Sequence, residues 1–92
     1  GGLIVNNLKK RIKSYLRNAL MVYRYKREIT QEEMAKLLHI SLRSCSDLEC
    51  GRYCFSTLTL ILFLCLLSEE QILEIARSLK AFVKDAEEKE VT

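Results

Sequence analysis

The 92-residue chain has no proline, one histidine and three glycines, two of which are its first two residues. Without proline, and with about half its residues hydrophobic, it favours helices over an all-β sandwich. The single histidine, and the lack of a glycine-rich loop or nucleophile motif, read against an enzyme. Four cysteines, Cys45, Cys50, Cys54 and Cys65, lack the paired C-x-x-C spacing of zinc sites even when His39 is added. They also lack an evident activating partner. Thr30, Ser41 and Ser68 stand where helix caps belong, which accounts for them without chemistry. No metal, cofactor or small-molecule ligand is therefore expected. The longest apolar run, TLTLILFLCLL over 57–67, is far shorter than the roughly 20 residues that span a bilayer. No secretory leader is visible, so the thiols are expected to be reduced and the protein cytoplasmic. The chain opens Gly1-Gly2 without a methionine, and its native start is not visible.

What is present fits one small domain with a single core. The net charge of +3 is unevenly placed. Residues 1–55 hold eleven Lys/Arg against five Asp/Glu, a balance of +6; residues 56–92 hold four against seven, a balance of −3. A basic front half points to a polyanion partner, or to no more than a solvated charged surface.

Residues 30–51, TQEEMAKLLHISLRSCSDLECG, organise the chain. Thr30 is a good N-cap, and Glu33 three residues on completes a capping box, so a helix is predicted over 31–38. Met34, Ala35, Leu37 and Leu38 form its apolar stripe. The pattern pauses at His39 and Ile40. Ser41 can cap a second helix over 42–50, and Gly51 is a left-handed stop signal. Two short helices joined by a tight turn read as a helix-turn-helix, whose second helix often enters the DNA major groove. On that helix Ser41, Cys45, Leu48 and Glu49 fall on one side; Arg43, Ser46, Asp47 and Cys50 fall on the other. Glu49 thus lies near the buried stripe, where a lone carboxylate is costly, and should find a cation.

Residues 3–27 read as helix, with Leu8, Ile12, Tyr15, Leu16, Ala19, Leu20 and Tyr23 recurring every three or four positions. Lys9, Lys10, Arg11, Lys13 and Arg17 cover the other side. The pattern allows one long helix or two with a break near Ser14. Such a helix could lie on a membrane surface, but a core-facing stripe with a solvated basic side is the reading preferred. Ser56 can cap the apolar helix over 57–67, expected to lie buried at the centre of the domain. Ser68-Glu69-Glu70-Gln71 is a further capping box, opening a helix to about residue 88. Ile72, Ile75, Leu79, Phe82 and Ala86 recur on it with near-heptad spacing. It either covers the domain's own core or forms a seam with a second copy; its length favours the second copy. Residues 89–92 are expected to fray.

Thr30, Gln31, Ala35, Leu38, Ile40, Ser41, Leu48, Glu49 and Gly51 together resemble, in type and spacing, the Cro/lambda-repressor-type (xenobiotic-response-element-like) helix-turn-helix regulators. Two positions depart from that family, which usually has Gly where His39 stands and a larger aliphatic where Cys45 stands. Histidine tolerates a positive φ better than most residues, and cysteine is small and buries well. The resemblance implies an all-α, five-helix lambda-repressor-like DNA-binding domain over 16–67. Residues 1–15 would extend a basic first helix, and 68–92 would form a long C-terminal helix able to dimerise. The implied function is a sequence-specific DNA-binding transcriptional regulator, with double-stranded DNA and a second copy of the chain as partners.

The resemblance also implies roles for residues. Arg24 would pair with Glu49. Gln31, by its side chain and backbone N–H, would contact a phosphate. Leu42, Arg43, Ser46 and Asp47 would face base edges, Arg43 being suited to guanine. Ser41 and Ser44 would lie on the same surface, and Arg52 would contact the DNA backbone. Asp47 could accept from a cytosine amino group, orient Arg43 by an i, i+4 pair, or repel phosphate. An acid there, with Leu42 and Cys50 making the face less polar, supports the alternative of a protein-interaction module on the same fold.

Overall fold

The computed structural model describes the backbone of residues 2–91 and the side chains of residues 5–89. The protein is all-α, with no strand among the described residues. The described residues form five helices, α1 (Gly2–Lys26), α2 (Gln31–Leu38), α3 (Leu42–Glu49), α4 (Thr57–Leu66) and α5 (Glu69–Val91). With no proline to interrupt them, α1 and α5 run unbroken for 25 and 23 residues, so there is no break near Ser14. Residues 89–91 belong to α5, and the fraying expected at Thr92 lies outside the described residues. None of the described helices is long and apolar enough to cross a membrane.

The chain divides into two compact units, one of residues 13–66 and one of residues 1–12 with 67–92. The first twelve residues and α5 therefore share a unit.

In the 13–66 unit the buried side chains follow helical spacing. They are Leu16, Leu20 and Tyr23 of α1, Met34, Ala35 and Leu38 of α2, Cys45 and Leu48 of α3, and Phe63 of α4. Phe63 is fully enclosed, with the Tyr23 ring edge-on at 6.0 Å and the Phe55 ring tilted at 5.6 Å. Burial of α4 is one-sided, against the expectation of a wholly buried helix. Phe63 and Thr59 are buried, while Leu58 and Ile61 are 67% and 50% exposed. A ten-residue helix that is apolar all round turns only one face to a small core. Ser56 caps it: its Oγ accepts from the Thr59 N–H at 3.1 Å and donates to Thr59 Oγ1 at 2.9 Å.

α1, α2 and α3 end in the same way. The residues after them, Glu28, His39 and Gly51, have φ of 54°, 57° and 79°. Their N–H groups donate to the carbonyls of Tyr25, Lys36 and Leu48. The next N–H groups, of Ile29, Ile40 and Arg52, donate to the carbonyls of Arg24, Ala35 and Asp47. Each end thus carries the paired bonds of the Schellman motif, whose left-handed position glycine fills best. Only one of the three is glycine. His39→Gly is expected to raise stability by about 1 kcal/mol, since an L side chain in this region costs ~1–2 kcal/mol and the entropy of an added glycine offsets part of the gain. Urea denaturation at neutral pH measures it, and no gain in midpoint would count against strain at the turn.

In the other unit, Ser68 and Gln71 form the expected capping box. The Ser68 N–H donates to Gln71 Oε1 at 2.9 Å, and the Gln71 N–H donates to Ser68 Oγ at 3.2 Å. Arg11 lies 4.3 Å over the Phe82 ring and donates to Asp85 at 2.9 Å. Hydrogen bonding to Arg11, then to Lys89, holds the Asp85 carboxyl below its ordinary range.

Candidate nucleic-acid interface

The caps fix how α2 and α3 meet. Thr30 Oγ1 accepts from the Glu33 N–H at 3.1 Å, and the Thr30 N–H donates to Glu33 Oε1 at 3.1 Å. Three residues then turn the chain, with His39 left-handed and Ser41 extended. Ser41 Oγ accepts from the Ser44 N–H at 3.0 Å and donates to Ser44 Oγ at 2.9 Å. Cys45 and Leu48 anchor α3 in the core. Its opening turn is left in solvent: Leu42 is 51% exposed, and Arg43 and Ser44 are exposed beside it. Arg43 makes no ion pair or hydrogen bond among the described residues.

Asp47 does not orient Arg43. Its Oδ1 lies 3.6 Å from Arg52 Nη1, and its side chain is only 13% exposed. The reason is local. Arginine placed before aspartate at i, i+4 is the weaker order on a helix. The turn at Gly51, meanwhile, brings the Arg52 N–H to the Asp47 carbonyl at 2.9 Å. Ser46 is half-buried, so the outward surface of α3 is concentrated in its first turn.

The Gln31 side chain is half-buried and reaches Glu49. Its Nε2 donates to Glu49 Oε1 at 3.2 Å. Glu49 is buried at 6% exposure and sits at a helix C-terminus, where a negative charge is disfavoured, so it draws donors from several elements. Arg24 donates from Nε to Glu49 Oε2 at 2.7 Å and from Nη2 to Oε1 at 2.8 Å. Its Nη1 also donates to the Ile29 carbonyl at 3.2 Å. The Cys45 thiol completes the set at 3.9 Å from Glu49 Oε2. Hydrogen bonding to Glu49 raises the Arg24 guanidinium above its ordinary value, against the opposing pull of burial. Burial, with help from the Glu49 charge, pushes the Cys45 thiol up to about 11, so it stays a protonated donor. Of the four cysteines, Cys50, Cys54 and Cys65 are exposed.

The structure thus brings Arg24, Gln31 and Glu49 together inside, and Ser41, Leu42, Arg43 and Ser44 together outside. Asp47 and Arg52 form their own pair at the end of α3. Arg17, placed by helical spacing on the solvated basic side of α1, is half-buried instead. Its side chain lies against Gly51, with Nη1 3.4 Å from where a Cβ would stand. Searches against family models, curated proteins and solved structures find no match to this chain.

Proposed function

We propose that the 13–66 unit is a Cro/lambda-repressor-like helix-turn-helix domain and that the chain is a sequence-specific, DNA-binding transcriptional regulator. The observation that carries the reading is the first turn of α3, held out on two capped helices, with Arg43 exposed and uncommitted. A short helix offering its N-terminal side chains in this way suits the major groove, where a free guanidinium can grip guanine. Arg52 offsets the Asp47 charge, so the acid does not face phosphate alone. At the α2 N-terminus the Glu33 N–H is taken by Thr30, leaving those of Gln31 and Glu32 for a phosphate.

The test is titration against a random duplex pool at two salt concentrations. Binding tighter than about 10⁻⁴ M at low salt is expected. Arg43→Ala should relax sequence preference and cost ~1–3 kcal/mol on the preferred site. One observation favours a protein-interaction module instead: Leu42 is the residue at the front of the exposed turn, and it is apolar. That reading predicts no duplex affinity in the same titration.

A second copy of the chain is the proposed partner of α5. Leu73 and Val83 on it are 50% and 38% exposed. Ile72, Leu79 and Phe82, whose spacing suggests a seam, are half-buried. Sedimentation at high micromolar concentration should show a dimer, and a monomer there would remove this element. A two-fold dimer would read paired half-sites about one helical turn of DNA apart.

A further inference from the structure

Among the described residues Arg17 is a cation without an anion. It stands on α1 between Leu16 and Leu20, both buried, and is itself half-buried. Its side chain lies along Gly51: Nη1, Cδ and Cζ are 3.4, 3.6 and 4.0 Å from the place of a Cβ. Its Nε–H is buried and has no acceptor. Among the described residues Arg17 forms no ion pair or hydrogen bond. The place where it lies is the C-terminal end of α3, and the carbonyl ends there attract a cation. Those of Leu48 and Asp47 already accept from the Gly51 and Arg52 N–H groups.

The next residue along, Arg52, is 59% exposed and has only the long 3.6 Å contact with Asp47. Two guanidinium-bearing residues therefore meet at Gly51-Arg52, with a single carboxylate paired to one of them. A planar guanidinium with several free N–H donors suits a phosphate oxygen better than any other common anion on a duplex.

We infer that Arg17 is a second backbone-phosphate contact, acting beside Arg52 at the end of α3. The inference rests on the DNA-binding reading. Gly51 supplies the left-handed turn along which the Arg17 side chain lies. A Cβ at Gly51 would meet the Arg17 side chain at ordinary van der Waals distance, so the glycine is required by its φ of 79° and not by space.

The test measures affinity for one fixed duplex across a salt series, with unchanged helicity checked for each variant. Arg17→Gln should make the slope of log K against log salt shallower by about one unit and weaken binding roughly eightfold at 0.1 M salt, the share of one phosphate contact. The loss should be equal on preferred and unrelated duplexes. Arg17→Lys, which keeps the charge, should restore most of the slope. Should Arg17→Gln fail to fold, the wild-type protein still answers: the Arg17 Nε–H resonance, assigned by its loss in Arg17→Lys, must move on adding duplex. Wild-type binding with an unchanged slope in Arg17→Gln, or an unmoved resonance at saturation, overturns the inference alone. No binding of any duplex by the wild type overturns the DNA-binding reading with it.

Discussion

Replacing Arg24 with alanine is expected to cost about 3 kcal/mol, because the loss leaves the buried Glu49 carboxylate without its cation. Both oxygens of Glu49 accept from Arg24, at 2.7 and 2.8 Å, and the side chains are only 13% and 5% exposed. The Gln31 amide and the Cys45 thiol remain, but both are neutral donors and the thiol is a weak one. An exposed pair would be worth under 1 kcal/mol, so the size of the loss distinguishes a buried bridge from a surface one. The matched control is the double variant Arg24→Met with Glu49→Leu. Removing both charges together should recover most of the stability, since a well-packed apolar pair commonly equals a buried ion pair. Chemical denaturation of the wild type, Arg24→Met, Glu49→Leu and the double variant gives the coupling directly. If Arg24→Ala and the double variant fall equally far, the loss belongs to packing or to the Ile29 carbonyl bond, and not to the stranded charge.

The same network shows what could be read from the residues. The caps were legible because each is a bond between a residue and another three positions on: Thr30 with Glu33, Ser41 with Ser44, Ser68 with Gln71. The left-handed turn at His39 followed from the pause between two helical patterns and is there at φ 57°. That Glu49 needs a cation was legible from its place beside the buried stripe. The choice of Arg24, 25 residues away, came from family resemblance and not from spacing. That Gln31 turns inward was not legible, because a side chain at a helix start can reach either solvent or the core. Nor was the Asp47–Arg52 pair, which depends on where the chain goes after Gly51. α4 is the clearest failure of periodicity: a helix apolar on every side carries no signal of which face the core takes. Likewise the grouping of the first twelve residues with α5 depends on contacts such as Arg11 with Asp85, 74 positions apart.

Phe63→Ala is expected to cost the 13–66 unit ~3–5 kcal/mol, the usual loss when a fully buried aromatic is cut back to a methyl group. Phe63 is the largest fully buried side chain, and two other rings close on it. The cavity would open between Tyr23 of α1 and Phe55 of the loop before α4, so the walls belong to separate elements and cannot close it by a rotamer change alone. A chain of this length has a total stability of about 5–10 kcal/mol, so the variant should be close to half-unfolded at modest denaturant or temperature. Phe63→Leu, which keeps most of the volume, should lose less than half as much. Amide exchange locates the effect: protection should fall in α2 and α3 as well as in α4, because Met34, Leu38 and Leu48 share the core with Phe63. On the DNA-binding reading proposed above, the folded fraction should keep its sequence preference, since Arg43 is exposed on α3 and takes no part in that core. A loss below about 1 kcal/mol would mean that Phe63 is not the residue on which the helices of this unit are packed.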